Sequence, residues 1–255
     1  MSLPHDDIGE GPAVVLLHAG VADRRMWAEH LQPVADAGYR VVAVDLPGFG
    51  EAAVDQEEDA PWRDVLVTMD ELGIDRATLV GNSFGGSVAQ RVAVLAPERI
   101  ASLVLISSPA SGVEPSPALQ AVAEAEETAL EDGGIEAAVE AVLAAWVLPD
   151  APPQLRDRVA MMQRRALELQ TATDWGPAGF DPLEHDLDAL SRVAASAVIA
   201  VGEGDMPDFH VAADALVEAL PNARKTVVPG AGHLASLEQP QAFRDLLLAV
   251  LAGQS

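Results

Sequence analysis

Ser83 stands in the segment Ala77 to Gly86, ATLVGNSFGG, whose residue types suit a hydroxyl that must act as a nucleophile. Ala77, Thr78, Leu79 and Val80 form an apolar run fit for a buried strand, and Ser87 to Leu95 has helical spacing. Gly81 to Gly85, a G-x-S-x-G pentapeptide, therefore falls on a strand-to-helix turn. A serine displayed there holds strained dihedrals, and the chains packed against it leave no room for a Cβ two residues away on either side. Gly81 and Gly85 meet that demand, with Gly86 beside them. The turn also puts Ser83 at a helix start, where free N–H groups and the positive dipole end favour an oxyanion.

The pentapeptide alone also arises in loops by chance, so the flanking segments decide. Upstream, Ala13 to His18 (AVVLLH) reads as a buried strand running into Ala19-Gly20, a source of a second backbone N–H facing the serine. Downstream, Ser196 to Val201 is an apolar run ending in Gly202-Glu203-Gly204-Asp205, and Lys225 to Pro229 leads into Gly230-Ala231-Gly232-His233. Serine, aspartate and histidine thus each follow the C-terminal end of an expected strand, and in an open parallel sheet those ends share the ligand-binding edge. The acid is assigned to Asp205, with Asp208 as its rival and Glu203 close by. His18 reads as a structural histidine bonding backbone near the oxyanion loop, and His5, His30, His185 and His210 lack partners at metal-ligand spacing.

With these motifs the chain resembles the α/β-hydrolase superfamily, in its serine-nucleophile, cap-bearing branch. The order Ser83, Asp205, His233 matches that family's triad, His18-Ala19-Gly20 its oxyanion loop, Asp45-Leu46-Pro47-Gly48-Phe49-Gly50 its turn after the next strand, and Gly81 to Gly86 its nucleophile elbow. Leu16 to Trp27 is similar to the corresponding part of enol-lactonases and small esterases. The resemblance implies Ser83 as nucleophile, His233 as base, Asp205 as its orienting acid, and an oxyanion hole from the backbone N–H groups of Gly20 and Phe84. Ala19 stands where the family has glycine. Only Met1 to Pro12 precedes the first parallel strand, so the sheet edge is expected to be shortened to one strand around Leu3 to Ile8.

Strand-like and helix-like segments alternate along the chain, the pattern of a doubly wound, mostly parallel α/β sheet. The alternation breaks between Ile106 and Ser196, where three helical stretches (118–131, 135–146 and 154–173) follow one another. Residues 110–180 are read as a helical cap inserted in a core made of 1–109 and 181–255. Met26, Trp27, Trp146, Met162, Met206 and Leu234 are candidates for the walls of a mainly apolar substrate pocket beneath it.

Composition narrows the partners. The chain has 255 residues, 49% hydrophobic, and 40 acidic against 15 basic residues give a formal charge of −25. Binding to nucleic acid or to anionic lipid is disfavoured. No apolar run approaches the roughly 20 residues of a membrane span, and Met1 to Asp7 is acidic rather than signal-like, so a cytoplasmic location is expected. There is no cysteine. No metal or organic cofactor is expected, and the partner is a small acyl substrate. Three functions follow: hydrolysis of a carboxylic ester or lactone; carbon–carbon bond hydrolysis or peroxide-dependent acyl transfer on the same triad; and a non-catalytic receptor of the same fold.

Overall fold

The apolar runs pair into a single sheet in the computed structural model, which describes residues 2–253. Its strands are β1 (His5–Ile8), β2 (Ala13–Leu17), β3 (Arg40–Val44), β4 (Ala77–Asn82), β5 (Ile100–Ile106), β6 (Ser196–Gly202) and β7 (Ala223–Val228). They lie in the order β1-β3-β2-β4-β5-β6-β7. β1 runs antiparallel to β3, and every other neighbouring pair is parallel. Among the described residues the sheet beyond β3 consists of the single strand β1.

Period-two alternation divides the core. Leu17, Val44, Leu79, Leu105 and Val201 point to one layer, and Leu16, Ala43, Val80, Ile106 and Ala200 to the other. Near-continuous apolar strands of this kind need both faces covered. The first layer is covered by α2 (Pro61–Glu71), α3 (Phe84–Leu95) and, further along the chain, Pro207–Ala219; the second by α1 (Ala28–Asp36) and Pro240–Ala252. Fully burying each of the larger aliphatic side chains contributes about 1.5–3 kcal/mol.

Between β5 and β6 the chain leaves the sheet to form α4 (Pro117–Trp146) and α5 (Pro153–Ala172), then the short α6 (Pro182–His185). The helix starts are set by local chemistry: Pro117 occupies the first turn, and the Ser116 hydroxyl accepts from the Leu119 N–H. Two of the three helical stretches expected from sequence join as α4, which breaks at Gly134 (φ 72°, ψ −167°). That conformation suits glycine. The last helices are α7 (Pro207–Ala219), α8 (Ala235–Glu238) and α9 (Pro240–Ala252). No helix among the described residues is long and apolar enough to cross a membrane.

The two halves of α4 differ in anchorage. Its buried residues Ala138, Val139, Val142 and Leu143 all follow Gly134, whereas 117–133 contributes none. Amides of 117–133 are therefore expected to exchange with deuterium faster than those of 135–146, and both faster than β4 and β5. Equal protection of the two halves in exchange mass spectrometry would contradict this.

Candidate active site

The elbow is built by backbone contact. Ser83 has φ 51° and ψ −113°, outside the regions a serine normally occupies, at a cost of about 1–3 kcal/mol. It is held there by three hydrogen bonds: Ser83 N–H to the Ile106 carbonyl (2.8 Å), Ser87 N–H to the Ser83 carbonyl (3.0 Å) and Gly85 N–H to the His18 carbonyl (3.0 Å). A Cβ on Gly81 would lie 2.3 Å from the Gly85 carbonyl oxygen, one on Gly85 2.3 Å from that of Leu17, and one on Gly86 2.5 Å from the Ser108 hydroxyl. These three glycines are required by close approach rather than by unusual dihedrals.

Two N–H groups beside Ser83 have no acceptor among the described residues. Among the described residues neither Gly20 nor Phe84 donates its backbone N–H, while Gly85 is engaged with His18 and Ala19 with the Met26 sulfur. The Gly20 loop is fixed by His18, fully buried, whose Nδ1 hydrogen-bonds the Ala19 carbonyl (2.8 Å) and whose Nε2 accepts from Leu46 N–H (2.9 Å). Its proton therefore sits on Nδ1, and burial pushes its pKa below the ordinary 6.5. Asp45 holds the other side of the loop: its carboxylate accepts from Arg24 N–H and Glu51 N–H, both at 2.8 Å, and pairs with the Arg24 guanidinium.

Asp205 and His233 follow the adjacent strands β6 and β7. Nδ1 of His233 lies 3.1 Å and 3.3 Å from the two carboxylate oxygens of Asp205, and both side chains are almost completely buried. Asp205 also accepts from Met206 N–H at 2.8 Å. The two loops touch without side chains between them: a Cβ on Gly202 would be 2.0 Å from the Gly232 carbonyl oxygen, and Gly204 N–H donates to the Ala231 carbonyl. The rival acids are employed elsewhere. Asp208 accepts from the N–H and hydroxyl of Ser116, at the start of α4, and Glu203 accepts from Gly230 N–H.

Sequence reasoning passed over three residues that join these pieces. The Asn82 amide donates to the carbonyls of Ile106 (3.3 Å) and His233 (3.2 Å), bringing the histidine loop to the residue beside Ser83. Glu238 accepts from Gly232 N–H (2.7 Å) and Leu148 N–H (3.1 Å), tying the histidine loop to the chain after α4, and burial raises its pKa. Glu126 on α4 accepts from the Trp146 indole at 2.5 Å, and its pKa is likewise pushed up by burial. The Trp146 ring centre lies 4.5 Å from that of His233, and Phe209 lies 4.4 Å from it on another side.

Beside Gly20 and Phe84 opens a cavity of about 360 Å³, lined also by Phe49, Asp59, Gln170 and Trp175. Of the residues considered for pocket walls, Trp146 contacts the imidazole and Met206 adjoins Asp205. Met26, Trp27, Met162 and Leu234 are fully buried in the second core layer and do not line this cavity. Trp27 packs there against His30 and Phe243.

A family model described as the alpha/beta hydrolase family matches residues 14–246, spanning every strand from β2 to β7. The chain belongs to the alpha/beta hydrolase family. It is 29% identical over 275 aligned positions to the 2-hydroxy-6-oxo-6-phenylhexa-2,4-dienoate hydrolase of Burkholderia cepacia, covering 97% of this chain and 90% of that one. Identity to the hydrolase of the same name from Comamonas testosteroni is 40%, over 109 residues that cover 40% of this chain and 38% of that one. A thermophilic esterase from Thermogutta terrifontis superposes with a TM-score of 0.78 at 24% identity, covering 99% of this chain and 93% of that one, and shares its fold.

The environment of His18 makes this hydrolase acid-sensitive in a defined window. Its folded pKa lies below its unfolded one, so its contribution to stability is intact above about pH 6.5 and is lost as pH falls below that, because only the unfolded chain takes up the proton. The urea midpoint of the wild type should exceed that of His18→Gln by more at pH 7.5 than at pH 5.5. A constant difference would mean that His18 does not titrate with unfolding.

Proposed function

We propose that the protein hydrolyses a carboxylic ester or lactone through an acyl-enzyme on Ser83. In this reading Ser83 Oγ attacks the carbonyl carbon, and His233 Nε2 takes its proton and returns it to the leaving group. Asp205 keeps the Nδ1 proton in place and stabilises the imidazolium. The free N–H groups of Gly20 and Phe84 receive the oxyanion, each at about 3 kcal/mol. Water then enters as second nucleophile and releases the acid.

The observation that carries the choice of substrate is the charge of the cavity: none of its lining residues is basic, and Asp59 is an acid. The full-length relative from Burkholderia cepacia is named for a dienoate, an anion, and that likeness favours carbon–carbon bond hydrolysis as the second reading. A bound carboxylate here would meet a like charge and no cation, which disfavours it. An uncharged ester or lactone meets no such penalty.

A fluorophosphonate is expected to label Ser83 and no other residue, and Ser83→Ala to abolish labelling and ester turnover together. Peptide mapping to a different serine would overturn the nucleophile. Asp205→Asn should lower kcat on an aryl ester about 10⁴-fold, while Asp208→Asn and Glu203→Gln stay within about tenfold of wild type, since their carboxylates hold Ser116 and Gly230 rather than His233. A crippling Asp208→Asn beside a near-normal Asp205→Asn would reassign the acid. Turnover of a phenyl-substituted dienoate faster than any ester or lactone would decide for the second reading.

A further inference from the structure

Asp59 is held by its backbone rather than by its side chain among the described residues. Its backbone is pinned on both sides: Asp59 N–H donates to the Pro177 carbonyl and its own carbonyl accepts from Gly179 N–H, both at 2.9 Å. A parallel bridge joins it to Ala178, and Gly176 N–H donates to the Asp55 carbonyl (2.8 Å). Gly176 and Gly179 permit this zipper, because a Cβ on either would lie within 2.8 Å of the opposing segment. The carboxylate itself, half-buried at the cavity, has no hydrogen-bond or ion-pair partner among the described residues. Burial and the nearby Asp55 raise its pKa, and no cation opposes them.

The walls around that carboxylate are aromatic. Phe49 and Phe84 meet with ring centres 5.8 Å apart, and Trp175 lies over Gly48, whose added Cβ would touch the indole at 2.6 Å. Trp175 is carried by the same zipped segment that pins Asp59, so ring and carboxylate are placed together. Three aromatic residues and one carboxylate without a partner among the described residues, in a partly desolvated cavity, are the chemistry that binds an organic cation. A free anion there is costly until a cation arrives. The charge of −25 also draws cations towards the molecule and repels anions.

The geometry points to a cation-binding subsite beside the Gly20 and Phe84 N–H groups, formed by Asp59, Phe49, Phe84 and Trp175, which selects esters bearing a quaternary ammonium or protonated amine. This inference rests on the ester reading for its substrate, but the subsite can be tested apart from turnover. Choline and its uncharged isostere 3,3-dimethyl-1-butanol are titrated into the full-length protein by calorimetry, with Asp59→Asn and Trp175→Leu alongside. Choline should bind the wild type at least about tenfold more tightly than the isostere, and each substitution should bring the two together. Equal affinities, or no choline binding to the wild type, overturn the subsite. The butyrate esters of the same two alcohols are then compared by kcat/KM. A preference of about tenfold for the choline ester that collapses in Asp59→Asn supports subsite and ester reading together. Equal turnover of both esters overturns the cation selectivity and leaves the ester reading standing, whereas preferential choline binding with neither butyrate, no aryl ester and no lactone cleaved overturns the ester reading and leaves the subsite standing.

Discussion

Everything at the candidate site depends on three backbones packed against one another with no side chain between them. The crossing of β4, α3 and the end of β2 brings the Gly81 position against Gly85, and the Gly85 position against Leu17, at distances a Cβ cannot share. That contact sets the angle at which α3 leaves the sheet. The angle in turn holds Ser83 at a positive φ, which a serine adopts only when its surroundings over-determine it. The same crossing leaves the first N–H of α3 without an acceptor among the described residues. Strained serine and unpaired N–H are two results of one packing constraint.

A second contact of the same kind governs the other side. Gly202 against Gly232 lets the loops after β6 and β7 close on each other, so that Asp205 and His233 meet although they come from different crossovers. The link between the two halves is polar. Asn82 reaches from the elbow to the His233 carbonyl, and Glu238 reaches from the Gly232 N–H to Leu148 beyond α4. The inserted helices are therefore coupled to the imidazole twice: through this carboxylate, and through Trp146, whose indole N–H is held by Glu126 on its own helix.

How much of this the sequence discloses depends on the range of the interaction. Period-two and helical spacing reveal β2 to β7 and the main helices, because burial of whole strand faces is written locally. Gly81, Gly85 and Gly86 reveal the elbow for the same reason. The break at Gly134 lies inside what periodicity reads as the gap between two helices. Apolar type does not separate core from cavity: Met26, Met162 and Leu234 are as apolar as any pocket wall, yet are fully buried in the second core layer and do not line the cavity beside Gly20 and Phe84. Of the residues that line the cavity, Asp59 stands in a loop more than 100 positions before Gln170, near the end of α5, and Trp175, just beyond that helix. The zipper between 55–59 and 176–179, with the Gln170 amide donating to the Gly48 carbonyl, unites them, and the zipper is made of backbone hydrogen bonds that leave no mark in residue type beyond two glycines.

The acidic balance of the chain also acquires a local meaning. Its cations are largely committed: Arg24 to Asp45 and Glu51, Arg25 to Asp23, Arg91 to Asp181, Arg164 to Glu136, and Lys225 to Asp214. Several of these pairs brace the frame around the site, since Arg24 and Asp45 hold the turn that carries Phe49, while Arg91 ties α3 to the chain entering α6. With these basic groups engaged in structure, the Asp59 carboxylate has no cation partner among the described residues. A carboxylate left bare in an aromatic cavity is destabilising in the empty protein, and it is relieved when a ligand supplies the missing positive charge. The feature that weakens the free fold locally is thus the one that gives the cavity its preference among ligands.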